Sequence, residues 1–86
     1  MGAFNLGKVY FPPGVLPLGP DAFEIVIRRH AMCDWSEMSA EDAQANRDAI
    51  HSGERILSAY EVKGERVWVI TEADRSATTV LLPEEY

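Results

Sequence analysis

The stretch "RILSAYEVKGERVWVITEADRSATTVLLP", residues 55–83, decides the fold of this chain. From Ile56 to Val62 the pattern has a period of two, which is the period of a β-strand and places Ile56, Ser58, Tyr60 and Val62 on one face. "KGE" at 63–65 is a tight-turn signal, and "RVWVITEA" and "SATTVLLP" are two further strand patterns. Strands joined by such short turns predict an antiparallel meander. Because "VWVI" is apolar on both sides, we predict that its strand is central or has each face covered, and that Trp68 lies in the core.

A polar turn, "TEADRSATT" at 71–79, joins the last two strands, with its bend at 73–75. An aspartate early in a turn accepts hydrogen bonds from backbone amides, which gives Asp74 a structural role. Arg75 is expected to pair with Glu72 or Asp74, and an exposed pair of this kind contributes at most about 1 kcal/mol. Loops on rigid scaffolds also carry binding sites, so Glu72, Asp74 and Arg75 are candidate binding residues.

The first twenty residues contain one strand pattern and a proline-rich segment. Val9–Phe11 has strand-forming residue types and is followed directly by turn signals, so we predict a short strand that joins the edge of the sheet. "PPGVLPLGP" at 12–20 holds four of the five prolines, and proline fixes φ and removes an amide donor. We predict a rigid loop with little regular structure, whose Val15, Leu16 and Leu18 cover one edge of the core.

Two helices are predicted between the proline-rich segment and the meander. The first begins at Pro20, and its apolar positions follow the helical spacing i, i+3, i+4, i+7 up to His30. The second is capped by Ser39, runs through "AEDAQANRDAIHS" and stops at Gly53. The order β-α-α-β-β-β, with both helices on one face of the sheet, is an α+β fold in a single small domain over 1–86.

Charge and composition restrict the function. The net charge is −6, from 14 acidic and 8 basic residues, which argues against direct binding to a nucleic-acid backbone. No apolar run is long enough to span a membrane, and the start "MGAFNLGKVYF" lacks the pattern of a secretory signal. Cys33 is the only cysteine, so no internal disulfide forms. We therefore expect a cytoplasmic protein without contact to membranes.

Catalytic and metal-binding patterns are sparse. His30, Cys33 and His51 are the only soft metal ligands, one fewer than a structural zinc site needs, so we expect no metal or cofactor. His30 is interpreted as a cation that stabilises a helix end, and Cys33 as a buried thiol. Neither Cys33 nor Ser58 has an oxyanion-hole or elbow motif around it, and no phosphate-binding glycine loop is present. We therefore expect no enzyme activity.

Trp35 has two interpretations. It follows Asp34 in the loop "AMCDWSEM" between the two predicted helices. It either anchors this loop on the core or forms an exposed hot spot for a partner. On the second interpretation Trp35 joins the 71–79 turn in the candidate binding surface.

Asp34-Trp35, together with "RILSAY" and "VWVITEADRSATTVLLPEEY", resembles a group of small proteins of proteobacterial plasmids and integrated mobile elements. These are called plasmid-related proteins and are often labelled type I restriction endonuclease subunit M. The resemblance implies no established activity. A methyltransferase would need a nucleotide-binding domain and an [N/D]PP[Y/F/W] motif, whereas here Phe11 precedes Pro12-Pro13 and Gly14 follows. The element order also resembles RelE/ParE-type toxins, whose basic RNA cleft this chain lacks.

Three hypotheses for the function follow. The first is a non-enzymatic accessory protein of a mobile element that contacts an unknown protein partner through Trp35 and the 71–79 turn, with a homodimer left open. The second is an acidic anti-restriction or anti-CRISPR mimic of nucleic acid, because six acids stand against Arg47 alone between Asp34 and Glu54. The third is a degenerate RelE/ParE-like toxin fold, whose RNA cleavage would depend on Arg75.

Overall fold

In the computed structural model, residues 3–86 are described, and this part of the chain forms two α-helices and a four-stranded sheet. The elements in chain order are β1 Lys8–Tyr10, a 3-10 helix Pro13–Leu18, α1 Pro20–Ala31, α2 Ala40–Ser52, β2 Ile56–Val62, β3 Glu65–Thr71, β4 Ala77–Leu81 and a 3-10 turn Pro83–Glu85. The predicted α+β class and the order β-α-α-β-β-β are confirmed.

The sheet has the strand order β1-β4-β3-β2. The last three strands form the predicted antiparallel meander, and β1 pairs with β4 in parallel at the edge of the sheet. The turn between β2 and β3 consists of Lys63 and Gly64, which have φ values of +53° and +78°. Two positive φ values match the turn type that fits the twist of a two-residue hairpin.

The proline-rich segment differs from the prediction, because Pro13–Leu18 forms a 3-10 helix instead of an irregular loop. The fixed φ of proline is compatible with this helix, and only a few amide donors are needed to close its turns. Gly19 N donates to the Leu16 carbonyl at 3.1 Å. Val15 is fully buried, as predicted, whereas the side chain of Leu16 points to solvent and does not cover the core.

Both α-helices end in a residue with left-handed backbone conformation. After α1 this residue is Cys33, with φ +60°, and its amide donates to the His30 carbonyl while the Asp34 amide donates to the Arg29 carbonyl. This bond pair is a Schellman motif, here without the usual glycine. α2 has the predicted caps: Ser39 accepts from the Asp42 amide at 3.1 Å, and Gly53 has φ +78°.

We call the side of the sheet that contacts the helices the inner face, and the opposite side the outer face. Valines 67, 69 and 80 pack on the inner face with Tyr60 of β2 and Val26 of α1. Trp68 alternates with its valine neighbours and therefore points to the outer face, where it is half-buried. β3 is a central strand, as predicted, but the prediction that Trp68 lies in the core is wrong.

The free edge of β2 is covered by a side chain of α2. Nδ2 of Asn46 donates to the Leu57 carbonyl at 2.8 Å, and the Leu57 amide donates to Oδ1 of Asn46 at 3.2 Å. The amide group of Asn46 thus forms the pair of bonds that a neighbouring strand would form. Such a cover protects an edge from pairing with another chain, and it fixes α2 beside β2.

Candidate functional site

A chain of hydrogen-bonded side chains crosses the inner face and has His30 at its centre. Nδ1 of His30 lies 2.6 Å from Oγ of Ser58, and Nε2 lies 2.8 Å from Oγ1 of Thr71. Nε1 of Trp35 donates to the same Ser58 oxygen at 2.7 Å. The His30 side chain thus connects the end of α1 to the central and edge strands.

The far end of this polar chain determines where each proton lies. Oγ1 of Thr78 donates to the Leu6 carbonyl at 2.6 Å, because a carbonyl only accepts. The Thr78 hydroxyl has no second proton, so in the 2.7 Å contact between Thr71 and Thr78 it is Thr71 that donates. The Thr71 hydroxyl then also lacks a free proton, so Nε2 of His30 donates to it. Nδ1 of His30 is left as an acceptor for the Ser58 hydroxyl. The chain of bonds therefore places a proton on Nε2, and Nδ1 is the acceptor when the ring is neutral.

Burial lowers the pKa of His30 from 6.5 to about 4, since the ring has no exposed surface and no ion-pair partner in the polar chain. The interpretation of His30 as a cation at a helix end is wrong, because the ring turns inward to the sheet and stays neutral. Ser58 and His30 resemble a nucleophile and its base, but neither has any exposed surface. A substrate does not reach this pair, and its geometry is that of a structural link.

Trp35 lies in the core and is only 5% exposed. Its ring packs with Ala43 and Ala49 of α2 and with Ile56 of β2, while its indole N–H belongs to the polar chain. The structure therefore favours Trp35 as the anchor of the interhelical loop. An exposed hot spot at this position is not compatible with the burial.

The same loop is fixed from outside by Arg29. Its guanidinium contacts Asp34 and Glu37, each at 2.6 Å, and lies 4.5 Å above the ring of Tyr60. The bond from Arg29, followed by that from Ser36, lowers the pKa of Asp34 to about 2. Two of the six acids that suggested a nucleic-acid mimic are thus paired with a cation that lies outside that stretch of sequence.

Arg75 is bound to backbone carbonyls instead of the expected carboxylates. Its guanidinium donates to the carbonyls of Ala49 at 2.9 Å, Glu54 at 2.7 Å and Glu72 at 3.2 Å. The Ala49 carbonyl is in the last turn of α2, where a cation is favourable. The carboxylate of Glu72 instead pairs with Arg55 at 3.4 Å. Arg75 therefore ties the turn to the end of α2.

Asp74 has the predicted capping role. Oδ1 of Asp74 accepts from the Ser76 amide at 3.0 Å and from the Ser76 hydroxyl at 2.6 Å, and these bonds lower the pKa of Asp74. The other side of the turn meets Gly7, where an added Cβ would lie 2.3 Å from the Ser76 backbone. The turn is thus in contact with residues 6–8 as well as with α2.

The outer face carries the aromatic side chains that the fold leaves accessible. Tyr86 is 67% exposed, and its ring meets that of Trp68 edge-on at a centroid distance of 5.8 Å. Nη1 of Arg55 donates to the Tyr86 hydroxyl at 2.8 Å. Tyr10, in β1, adds a second half-exposed ring to this face, since it lies opposite Thr79 in the register. Ile70 between them is only 2% exposed.

Both ends of the outer face are charged. Arg55 pairs with Glu72 at one end, and Glu61 lies directly opposite Arg66 at the other. The C-terminal turn that brings Tyr86 to this face is held by Glu85, whose carboxylate accepts from the Gly14 amide.

The apolar strand pattern indicates burial for Trp68 and leaves two interpretations for Trp35, whereas the structure buries Trp35 and leaves Trp68 accessible. The small polar residues Ser58, Thr71 and Thr78 at inward positions were the available signal for the polar chain.

Within residues 3–86, no three His, Cys, Asp or Glu side chains come together in a way that would hold a metal ion. Across the same residues, neither length nor apolar character makes any helix a membrane span. Cys33 is partly buried instead of fully buried as predicted, and this burial raises the pKa of its thiol, which lowers its reactivity.

No protein-family model, curated protein or solved structure matches the chain.

Proposed function

We propose that this chain is a non-enzymatic accessory protein that acts by binding another protein through the outer face of its sheet. The observation that carries the proposal is the outer face itself, where Tyr10, Trp68 and Tyr86 are accessible and Arg55 lies beside them. Aromatic residues and arginine, bordered by charged groups, are the residue types that dominate protein–protein interfaces.

The outer face replaces the 71–79 turn and Trp35 as the candidate surface. Arg75 and Asp74 form their hydrogen bonds within the chain, and Trp35 is buried. These side chains are occupied by the fold, so binding through them would first require breaking internal contacts. The setting in a mobile element rests on the resemblance of Asp34-Trp35 and the C-terminal third to plasmid-related proteins.

The polar chain on the inner face supports a non-enzymatic role. Its hydroxyl and imidazole groups are the ones best suited to nucleophilic chemistry, and they are sealed from solvent. The alternatives receive less support. Arg29 compensates two acids of the proposed nucleic-acid mimic, and Arg75, on which a RelE-like cleavage would depend, donates to three carbonyls.

The test is affinity capture from cells in which the protein is native, with Trp68→Ala compared with Ile25→Ala. Both changes shorten a partly accessible apolar side chain, but Ile25 is half-exposed on α1, away from the sheet. We expect wild type and Ile25→Ala to capture the same protein, and Trp68→Ala to lose it while it keeps a cooperative melting transition. Equal capture by both variants, or turnover of a substrate that depends on Ser58, would contradict the proposal.

A further inference from the structure

We infer that the outer face binds a second copy of this chain. The inference rests on the proposed function, since it takes the outer face as the interaction surface, and it specifies the occupant. The two copies would stack sheet on sheet, related by a two-fold axis that lies between the sheets and runs perpendicular to the strands. In this arrangement each strand faces its own copy running in the opposite direction.

The charges on the outer face carry this inference. β2 has Arg55 just before its start and Glu61 near its end, and β3 has Arg66 near its start and Glu72 just after its end. Cross-strand register and the Arg55–Glu72 pair place all four on the outer face. When a strand faces its own antiparallel copy, Arg55 lies over Glu61 of the second copy. Arg66 likewise lies over Glu72 of the second copy.

The middle of the outer face is apolar and matches under the same axis. Leu57 of β2 faces Ala59 of the second copy, and Trp68 of β3 lies over the position of Ile70, whose side chain is only 2% exposed. Each larger side chain therefore meets a position from which little protrudes. The four charged groups that β2 and β3 place on this face balance, whereas the molecule as a whole has a net charge of −6. These two strands therefore add no net repulsion between two copies that approach through this face.

Tyr86 competes with the second copy for this surface. Its ring lies between Arg55 and Trp68, with 5.5 Å from the ring centre to the guanidinium carbon. The ring is mostly exposed, and its hydroxyl forms one hydrogen bond to the outer face. Tyr86 must move for the sheets to stack, so wild type dimerises weakly. Tyr86→Ala should dimerise at least about fivefold more tightly.

The decisive test uses two double variants in the Tyr86→Ala background, measured by analytical ultracentrifugation of the purified chain. Glu61→Arg/Arg66→Glu and Arg55→Glu/Glu72→Arg both retain the net charge and the attraction between neighbouring strands. Each alone places like charges across the two-fold axis, whereas their mixture places opposite charges there. We expect each to be monomeric and their equimolar mixture to form a heterodimer at least about tenfold more tightly than either alone.

The matched control is Glu24→Arg/Arg28→Glu, which swaps an ion pair of 2.9 Å on the exposed side of α1. It should dimerise like its Tyr86→Ala parent. If the mixture associates no better than its components, or if Tyr86→Ala is monomeric up to its solubility limit, the inference is wrong. The proposed function would still stand in that case if Trp68→Ala loses a captured protein, so the two failures are distinguishable.

Discussion

On the inner face of the sheet, His30, Ser58 and Thr71 have no contact with water, and each donor among them has an acceptor. On the outer face, Arg55 and Glu72 form an ion pair whose side chains are about half exposed. Removing one partner on the inner face leaves a buried polar group without a hydrogen bond, whereas water replaces a lost partner on the outer face. Equal numbers of polar contacts therefore contribute unequally to stability.

The largest expected effect is that of His30→Ala. It leaves a cavity and deprives both Ser58 and Thr71 of a partner, so we expect a loss of about 3–5 kcal/mol in the free energy of unfolding. Chemical denaturation measures this loss. His51→Ala is the control, because the other histidine is exposed on α2 and its removal should change stability by less than about 0.5 kcal/mol. Similar losses of unfolding free energy in both variants would show that the buried polar chain contributes no more to stability than an exposed polar side chain does.

The pH dependence of stability follows from the same residue. The pKa of His30 is lowered from 6.5 to about 4 in the folded protein, so the unfolded chain binds the proton more readily. Stability is full above about pH 6.5 and falls as the pH decreases towards 4, by about 3 kcal/mol in total. The contribution of Asp34 to stability is lost at lower pH, as the pH falls from 3.8 through about 2. Denaturation curves between pH 7 and 4 should keep this slope in His51→Ala and lose it in His30→Gln.

Arg75→Ala should have an intermediate effect at the end of the sheet. It removes three hydrogen bonds from carbonyls of α2, the following loop and the turn, so we expect a loss of about 1.5–3 kcal/mol. An exposed ion pair, as expected from the sequence, would contribute less. Arg47→Ala is the control, because Arg47 is exposed on α2 and contacts Gln44. Equal unfolding free energies for the two variants would show that Arg75 does not stabilise the fold, and a role of Arg75 in binding would then be favoured.

Asp74→Ala should lower the melting temperature less than Arg75→Ala does. Its carboxylate accepts two bonds, both from Ser76 next to it in the turn. Asp74→Asn retains the accepting oxygen, so it should melt close to wild type. A larger effect for Asp74→Ala than for Arg75→Ala would mean that the turn holds itself together without α2.

The smallest effect is expected for Glu72→Ala on the outer face. Solvent screens its pair with Arg55, so the change in unfolding free energy should be within about 0–1 kcal/mol. A double-mutant cycle with Arg55→Ala isolates the pair from the contact between Arg55 and Tyr86. A coupling well above 1 kcal/mol would show that the outer face is less open to water than its exposure indicates.

The turn region shows how far local patterns reach. The capping role of Asp74 is predictable from the sequence, because its partner Ser76 is two residues away and the bond is part of the turn itself. The partners of Arg75 differ from the prediction, because two of its three carbonyls lie 21 and 26 residues away in sequence. A long side chain in a turn has many acceptors within reach, and only the position of α2 selects among them.

The sequence by itself determined the order of the elements, the two caps of α2 and the glycine turn between β2 and β3, because these depend on side-chain period and on backbone preferences of neighbouring residues. Only the tertiary structure decided which tryptophan is buried and which is accessible, and it turned His30 into a neutral core residue. The partners of His30 lie 28 and 41 residues away. Burial and hydrogen bonding of this kind arise when distant segments pack together, so the local pattern shows that small polar residues face inward but not which groups they bind.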